Sequence, residues 1–207
     1  MVLSIKSYKT PLRYPGGKSR ACKKMEPFFP DLRDYDVYYE PFLGGGSVAL
    51  HITKKYPNLK IVVNDLYEPL YNFWLQLQVN GDYVHKQLQE LKSRFPDRGS
   101  ARGLFEDAKK KLYDLDISDK DRAVCFYIIN KCSFSGLTES SSFSKQASDS
   151  NFSMRGINKL PVYSELIKDW NCAEFDLTYT MRSVGEYMRN QKMRKELLLF
   201  NYNTGVF

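Results

Sequence analysis

Cysteine and histidine are scarce in this chain, and neither is clustered. The four cysteines, Cys22, Cys125, Cys132 and Cys172, contain no CxxC pair, and His51 and His85 are the only histidines. A structural zinc site needs such ligands at close spacing, so none is expected and no metal ligand is assigned. No run of about 18 apolar residues occurs, which argues against a membrane-spanning helix. No secretory leader is evident, and isolated cysteines suit a reducing compartment, so the sequence reads as cytoplasmic. Internal repeats are also lacking.

What is present is an ordinary globular composition. The 207 residues are 43% hydrophobic and 27% charged, with 15 Tyr and 13 Phe to fill a core or offer stacking surfaces. That length allows one domain with a small inserted subdomain. The net charge of +7 leans towards a polyanionic partner. Charge alone leaves a basic protein with no such partner almost as acceptable.

Residues 36–39 read as a short buried strand running into Glu40-Pro-Phe-Leu-Gly-Gly-Gly-Ser47. A helix is expected from Ser47 to about Tyr56, and a second strand, Lys60–Val63, ends in Asn64-Asp65. Ser19 reads as an N-cap, residues 68–91 as one long helix, and residues 95–103 as a Pro/Gly/Ser-rich loop. Helical patterns resume over 104–115, 119–131 and 160–170. Residues 133–159, rich in Ser, Asn, Gly and Lys, read as either a linker or an ordered loop and hairpin. The stretches 175–179 and 197–202 read as strands. The order strand, glycine turn, helix, strand, acid, helix opens an α/β doubly wound sheet.

The glycine turn suits close approach of a ligand to the backbone at the carboxyl end of its strand. Asp65 follows it by about 20 residues, the spacing at which a carboxylate can accept hydrogen bonds from a ribose. Asp is also a common helix cap, and the two roles are compatible. Together these elements point to an adenosine-containing ligand without separating a nicotinamide cofactor from S-adenosylmethionine.

Leu12-Arg13-Tyr14-Pro15-Gly16-Gly17-Lys18, then Glu40-Pro-Phe-Leu-Gly-Gly-Gly, then Asn64-Asp65 resembles the Dam-type DNA adenine methyltransferases, especially phage-like members. The resemblance implies a Rossmann-like S-adenosylmethionine-dependent methyltransferase sheet carrying a small helical or hairpin DNA-recognition insertion. It implies S-adenosylmethionine as cofactor and double-stranded DNA as partner. Tyr14 and Lys18 would help hold the cofactor, Glu40, Phe42 and Gly44 would line its methionine side, and Asp65 would bind its ribose. The segments 130–137, 143–145 and 151–156 look like the family's recognition region, with Lys131, Ser135, Lys145, Asn151 and Arg155 as DNA contacts. Physically, Lys145 and Arg155 suit phosphates or guanine edges. The resemblance divides the chain into a cofactor-binding core, 1–95 and 171–207, and a recognition insertion, 96–170.

One family element is missing. Members carry Asp-Pro-Pro-Tyr or Asn-Pro-Pro-Tyr on a central strand, to orient and stack on a flipped adenine. This sequence has no Pro-Pro, and Asp176 and Tyr179 of Asp-Leu-Thr-Tyr are poor substitutes, because Leu-Thr does not fix the loop. The pattern breaks near 170–174, where roughly one or two strand–helix units are absent. An incomplete sheet is therefore expected. Its bared edges predict a homodimer or a complementing chain. Two functions remain open: an adenine-specific methyltransferase lacking its catalytic motif, and a catalytically silent relative that binds S-adenosylmethionine, DNA or both. A nicotinamide-dependent dehydrogenase has no use for the Tyr14–Lys18 motif.

Overall fold

The computed structural model describes residues 9–138 and 141–173. Strands β1 (Val37–Glu40), β2 (Lys60–Val63) and β3 (Asn171–Cys172) form a parallel sheet in the order β1-β2-β3. Val37 aligns with Lys60 and Glu40 with Val63, and Val62 and Val63 align with Asn171 and Cys172. Parallel neighbours require crossovers. The short one runs through α2 (Ser47–Lys55), while all the remaining helices after β2 lie between β2 and β3. Among the described residues β1 is paired on one side only. Tyr39 on β1 is 59% exposed, so this strand is less buried than its apolar sequence suggests.

The rest is helical. A single turn, α1 (Cys22–Met25), precedes β1, and α3 (Glu68–Val79), α4 (Gly81–Arg94), α5 (Arg98–Lys111) and α6 (Asp119–Cys132) follow β2. Then come α7 (Lys145–Asn151), α8 (Met154–Ile157) and α9 (Leu160–Leu166). Helix α6 is buried continuously from Ala123 to Cys132, as expected of a helix that is apolar around most of its circumference. Its Phe126 and Tyr127 rings lie 5.7 and 5.8 Å from that of Phe73 on α3. Trp74 packs on Trp170, whose indole N–H donates to Thr53 on α2 at 2.8 Å. One hydrophobic core thus joins the sheet layer to the helices of 96–170.

Several local expectations need correction. The 68–91 helix breaks at Asn80, whose backbone leaves the helical region, and α9 packs so close to the next residue that a Cβ on Gly81 would lie 2.3 Å from Ser164 Oγ. The 95–103 loop is mostly the first turns of α5, started by Asp97, which accepts the N–H groups of Gly99 and Ser100 at 2.8 and 2.9 Å. Ser19 caps nothing; its hydroxyl meets that of Ser47 at 2.9 Å, and α1 begins at Cys22. Among the described residues, 133–159 hold an antiparallel bridge, Ser133 to Phe143, a 3-10 turn at Phe134–Gly136, and then α7 and α8. Ser144 and Ser153 cap those two helices, which accounts for part of the serine bias. The segments 175–179 and 197–202 lie outside the described residues.

Candidate functional site

Asp65 is the pivot of the carboxyl end of the sheet. Strands β1 and β2 stop side by side at Glu40 and Val63, and the chain crosses between them twice more: Asn64 N–H donates to the Glu40 carbonyl at 3.0 Å and Leu43 N–H to the Asn64 carbonyl at 2.9 Å. Asp65 then accepts the Gly44 N–H on Oδ2 at 2.7 Å and the Tyr67 N–H on Oδ1 at 3.0 Å. Its carboxylate therefore fastens the glycine loop to the start of α3. The Trp74 indole N–H donates to the Gly44 carbonyl at 3.1 Å, so both backbone groups of Gly44 are held.

Glycine is required here by geometry. Gly44 and Gly46 take φ values of +51° and +67°. A Cβ on Gly44 would sit 3.0 Å from the Tyr14 ring, and one on Gly46 2.6 Å from the Trp74 ring. Tyr14 thus lies over the glycine loop although it precedes Gly44 by 30 positions in the chain. Burial, with Asp65 nearby, raises its phenol pKa and keeps it neutral. Lys18 donates to the Gly16 carbonyl at 2.8 Å within its own turn. The Glu40 carboxyl accepts from the Tyr38 hydroxyl at 3.1 Å, and burial pushes it up to about 8. Phe42 points the other way, 68% exposed, and presents an open ring beside the loop.

Above this loop stands the end of α6. Asn130, fully buried, grips the main chain of Arg13: its Oδ1 accepts the Arg13 N–H at 2.9 Å and its Nδ2 donates to the Arg13 carbonyl at 2.6 Å. The Arg13 guanidinium donates to the Ser133 carbonyl at 2.7 Å. Gly136, at φ +72°, is pressed so close to Arg13 that a Cβ would lie 2.5 Å from its carbonyl oxygen. Tyr14, Pro15, Tyr67, Gly136, Leu137 and Thr138 enclose a cavity of about 290 Å³. A larger cavity, about 880 Å³, is lined by Phe29, Tyr35, Tyr56 and Asn58 among others. It lies at the amino ends of β1 and β2, away from the end where α/β sheets bind ligands.

The model of the D12 class N6 adenine-specific DNA methyltransferase family matches residues 14–188. The chain belongs to this family. Type II methyltransferase M.MjaIII of Methanocaldococcus jannaschii is 26% identical over 139 residues, covering 61% of this chain and 46% of that protein. The chain thus spans less than half the length of this relative. The family's methyl donor is S-adenosylmethionine.

The fold brings Tyr14, Gly44 and Asp65 into one cluster at the carboxyl ends of β1 and β2. The glycine cradle, the acid at the β2 end and the aromatic rings suit an adenosine-containing cofactor. Of the residues expected to contact DNA, Ser135 is exposed at φ +53° on the loop after α6, Lys145 is exposed at the start of α7, and Arg155 is exposed on α8. Asn151 donates back to the Ala147 carbonyl at 3.0 Å. Lys131 differs from these: it is 8% exposed, packs over the Tyr127 ring at 5.2 Å, and burial, aided by Arg13, lowers its amine to about 8. Asp176 and Tyr179 lie outside the described residues. Sequence reasoning missed Tyr67 and Asn130. The Asp65-x-Tyr67 spacing of an Asx turn could have flagged the first. Nothing local marks Asn130, whose partner is 117 residues away.

Proposed function

We propose that this chain forms the S-adenosylmethionine- and DNA-binding part of an adenine-N6 DNA methyltransferase, and that alone it transfers methyl groups poorly. The observation that carries the reading is the Tyr14–Gly44–Asp65 cluster at the carboxyl ends of β1 and β2. Tyr14 and Lys18 would help hold the cofactor, with Glu40, Phe42 and Gly44 lining its methionine side and Asp65 at its ribose. Bound there, S-adenosylmethionine supplies an electrophilic methyl group. The chain's own part is to shape the loop, shelter the site and present DNA to it. Ser135, Lys145, Asn151 and Arg155 would contact duplex DNA. Residues 96–170 serve as the recognition insertion and residues 1–95 and 171–207 as the cofactor core. Lys131, being buried, would support the loop from below.

The silent-relative reading is favoured over full turnover by the sequence itself, which has no Pro-Pro to fix and stack an adenine. The one-sided pairing of β1 among the described residues fits an incomplete sheet that a second copy or a complementing chain would extend. The test is incubation with methyl-labelled S-adenosylmethionine and an adenine-containing duplex. The expected result is retention of both ligands with label transfer at background. Multiple-turnover formation of N6-methyladenine contradicts the silent reading, and failure to retain the cofactor contradicts the site.

A further inference from the structure

Resting on the proposed DNA-binding role, a second feature extends it to a helix that neither the glycine loop nor the recognition loop includes. Arg102, Glu106 and Lys109 on α5 face Ser141, Phe143 and Lys145 across a groove of about 340 Å³. The groove is preformed. Its Phe105 and Phe143 rings pack 5.6 Å apart, and Lys109 Nζ donates to the Ser141 carbonyl at 3.2 Å. That bond uses one of three ammonium protons and leaves two for another acceptor. Arg102 and Lys145 are exposed, so three cations stand against one carboxylate, Glu106. The groove is continuous with the recognition loop, because Phe134 N–H donates to the Ser142 carbonyl at 3.0 Å and Ser133 bridges Phe143. Arg102 and Lys109 are seven residues apart on one face of α5, about 10.5 Å along its axis. Along the duplex axis that distance covers about three base pairs at about 3.4 Å of rise each.

We propose that this groove seats the sugar–phosphate backbone of DNA held by the recognition loop, with Arg102, Lys109 and Lys145 meeting phosphates of one strand. These contacts carry no sequence information; they fix the register of the duplex. Glu106 lies between the two α5 cations and weakens the groove's attraction for phosphate.

The test is the salt dependence of duplex binding, read by fluorescence anisotropy on the full chain. Each lost phosphate contact lowers the slope of log K against log salt by about 0.9. The double variant Arg102→Gln/Lys109→Gln is expected to lose about 1.8 of that slope. Lys60→Gln/Lys86→Gln removes the same charge from exposed positions outside the groove and should keep the wild-type slope. Glu106→Gln should tighten binding. Circular dichroism checks that each variant is folded. A groove variant that binds with the wild-type slope, or a control that loses as much, overturns the inference and leaves the DNA reading standing. Absence of duplex binding by the unaltered chain sinks the DNA reading itself, and the groove assignment with it.

Discussion

Glu40 and Lys131 are two side chains whose ionisation burial opposes, and they act in different pH windows. Burial raises the Glu40 carboxyl from 4.5 to about 8. A group with a raised folded-state pKa holds its proton better in the native state. Its stabilisation is complete below about pH 4.5 and lost as pH climbs through about 8. Burial lowers the Lys131 amine from 10.5 to about 8, so its contribution is present above about pH 10.5 and lost as pH falls through about 8. Between roughly pH 5 and 8 the Glu40 effect therefore varies most. Glu40→Gln is expected to flatten the fall of melting temperature across that window, measured by thermal denaturation in matched buffers. An unchanged pH profile would place the ionised carboxylate in water and contradict the buried assignment. At this scale the glycine loop and Asp65 were legible in the sequence, since their spacing is local to a β–α–β unit. The buried state of Lys131 was not, because it depends on Tyr127 below it and Arg13 brought from the other end of the chain.

Among the elements, β1, β2 and α2 follow the sequence closely, since short runs bounded by turn residues leave little choice, whereas the two-residue β3 was not anticipated. Of the helices between β2 and β3, α6 matches its expected range, but the stretches around 80 and 97 do not. Asp97 starts α5 within a segment whose Pro, Gly and Ser content suggests a loop, and a long periodic stretch breaks at Asn80, beside Gly81, where α9 occupies the space a side chain would need. At Asp97 capping outweighs average propensity. Strand β1 carries the main consequence at this level. Its free side among the described residues and its exposed Tyr39 leave unpaired backbone donors and acceptors that favour association. Sedimentation velocity is expected to show a species heavier than the 24.1 kDa monomer. A clean monomer over a wide concentration range contradicts the bared-edge account.

On the scale of the whole molecule, the family membership and the three-stranded parallel sheet agree with the α/β reading and with a sheet that is incomplete. The basic charge, indecisive by itself, gains meaning from where Arg102, Lys109, Lys145 and Arg155 stand, along the helices beyond the cofactor loop. No described helix is long and apolar enough to cross a membrane. What the sequence could not convey is how tightly the parts are joined: Asn130 ties the end of α6 to Arg13, and Tyr14 next to it covers Gly44. The glycine loop and the loop after α6 are thus packed together, with Tyr14, Tyr67 and Gly136 lining one cavity.

Calorimetric titration of S-adenosylmethionine into the full chain, with Asp65→Ala alongside, tests the central claim most directly. The account predicts micromolar binding by the unaltered chain and loss of at least about tenfold in the variant, since removing a charged acceptor costs about 1.5–3 kcal/mol. No heat of binding from a folded wild-type chain, or equal affinity in the Asp65→Ala variant, would contradict it.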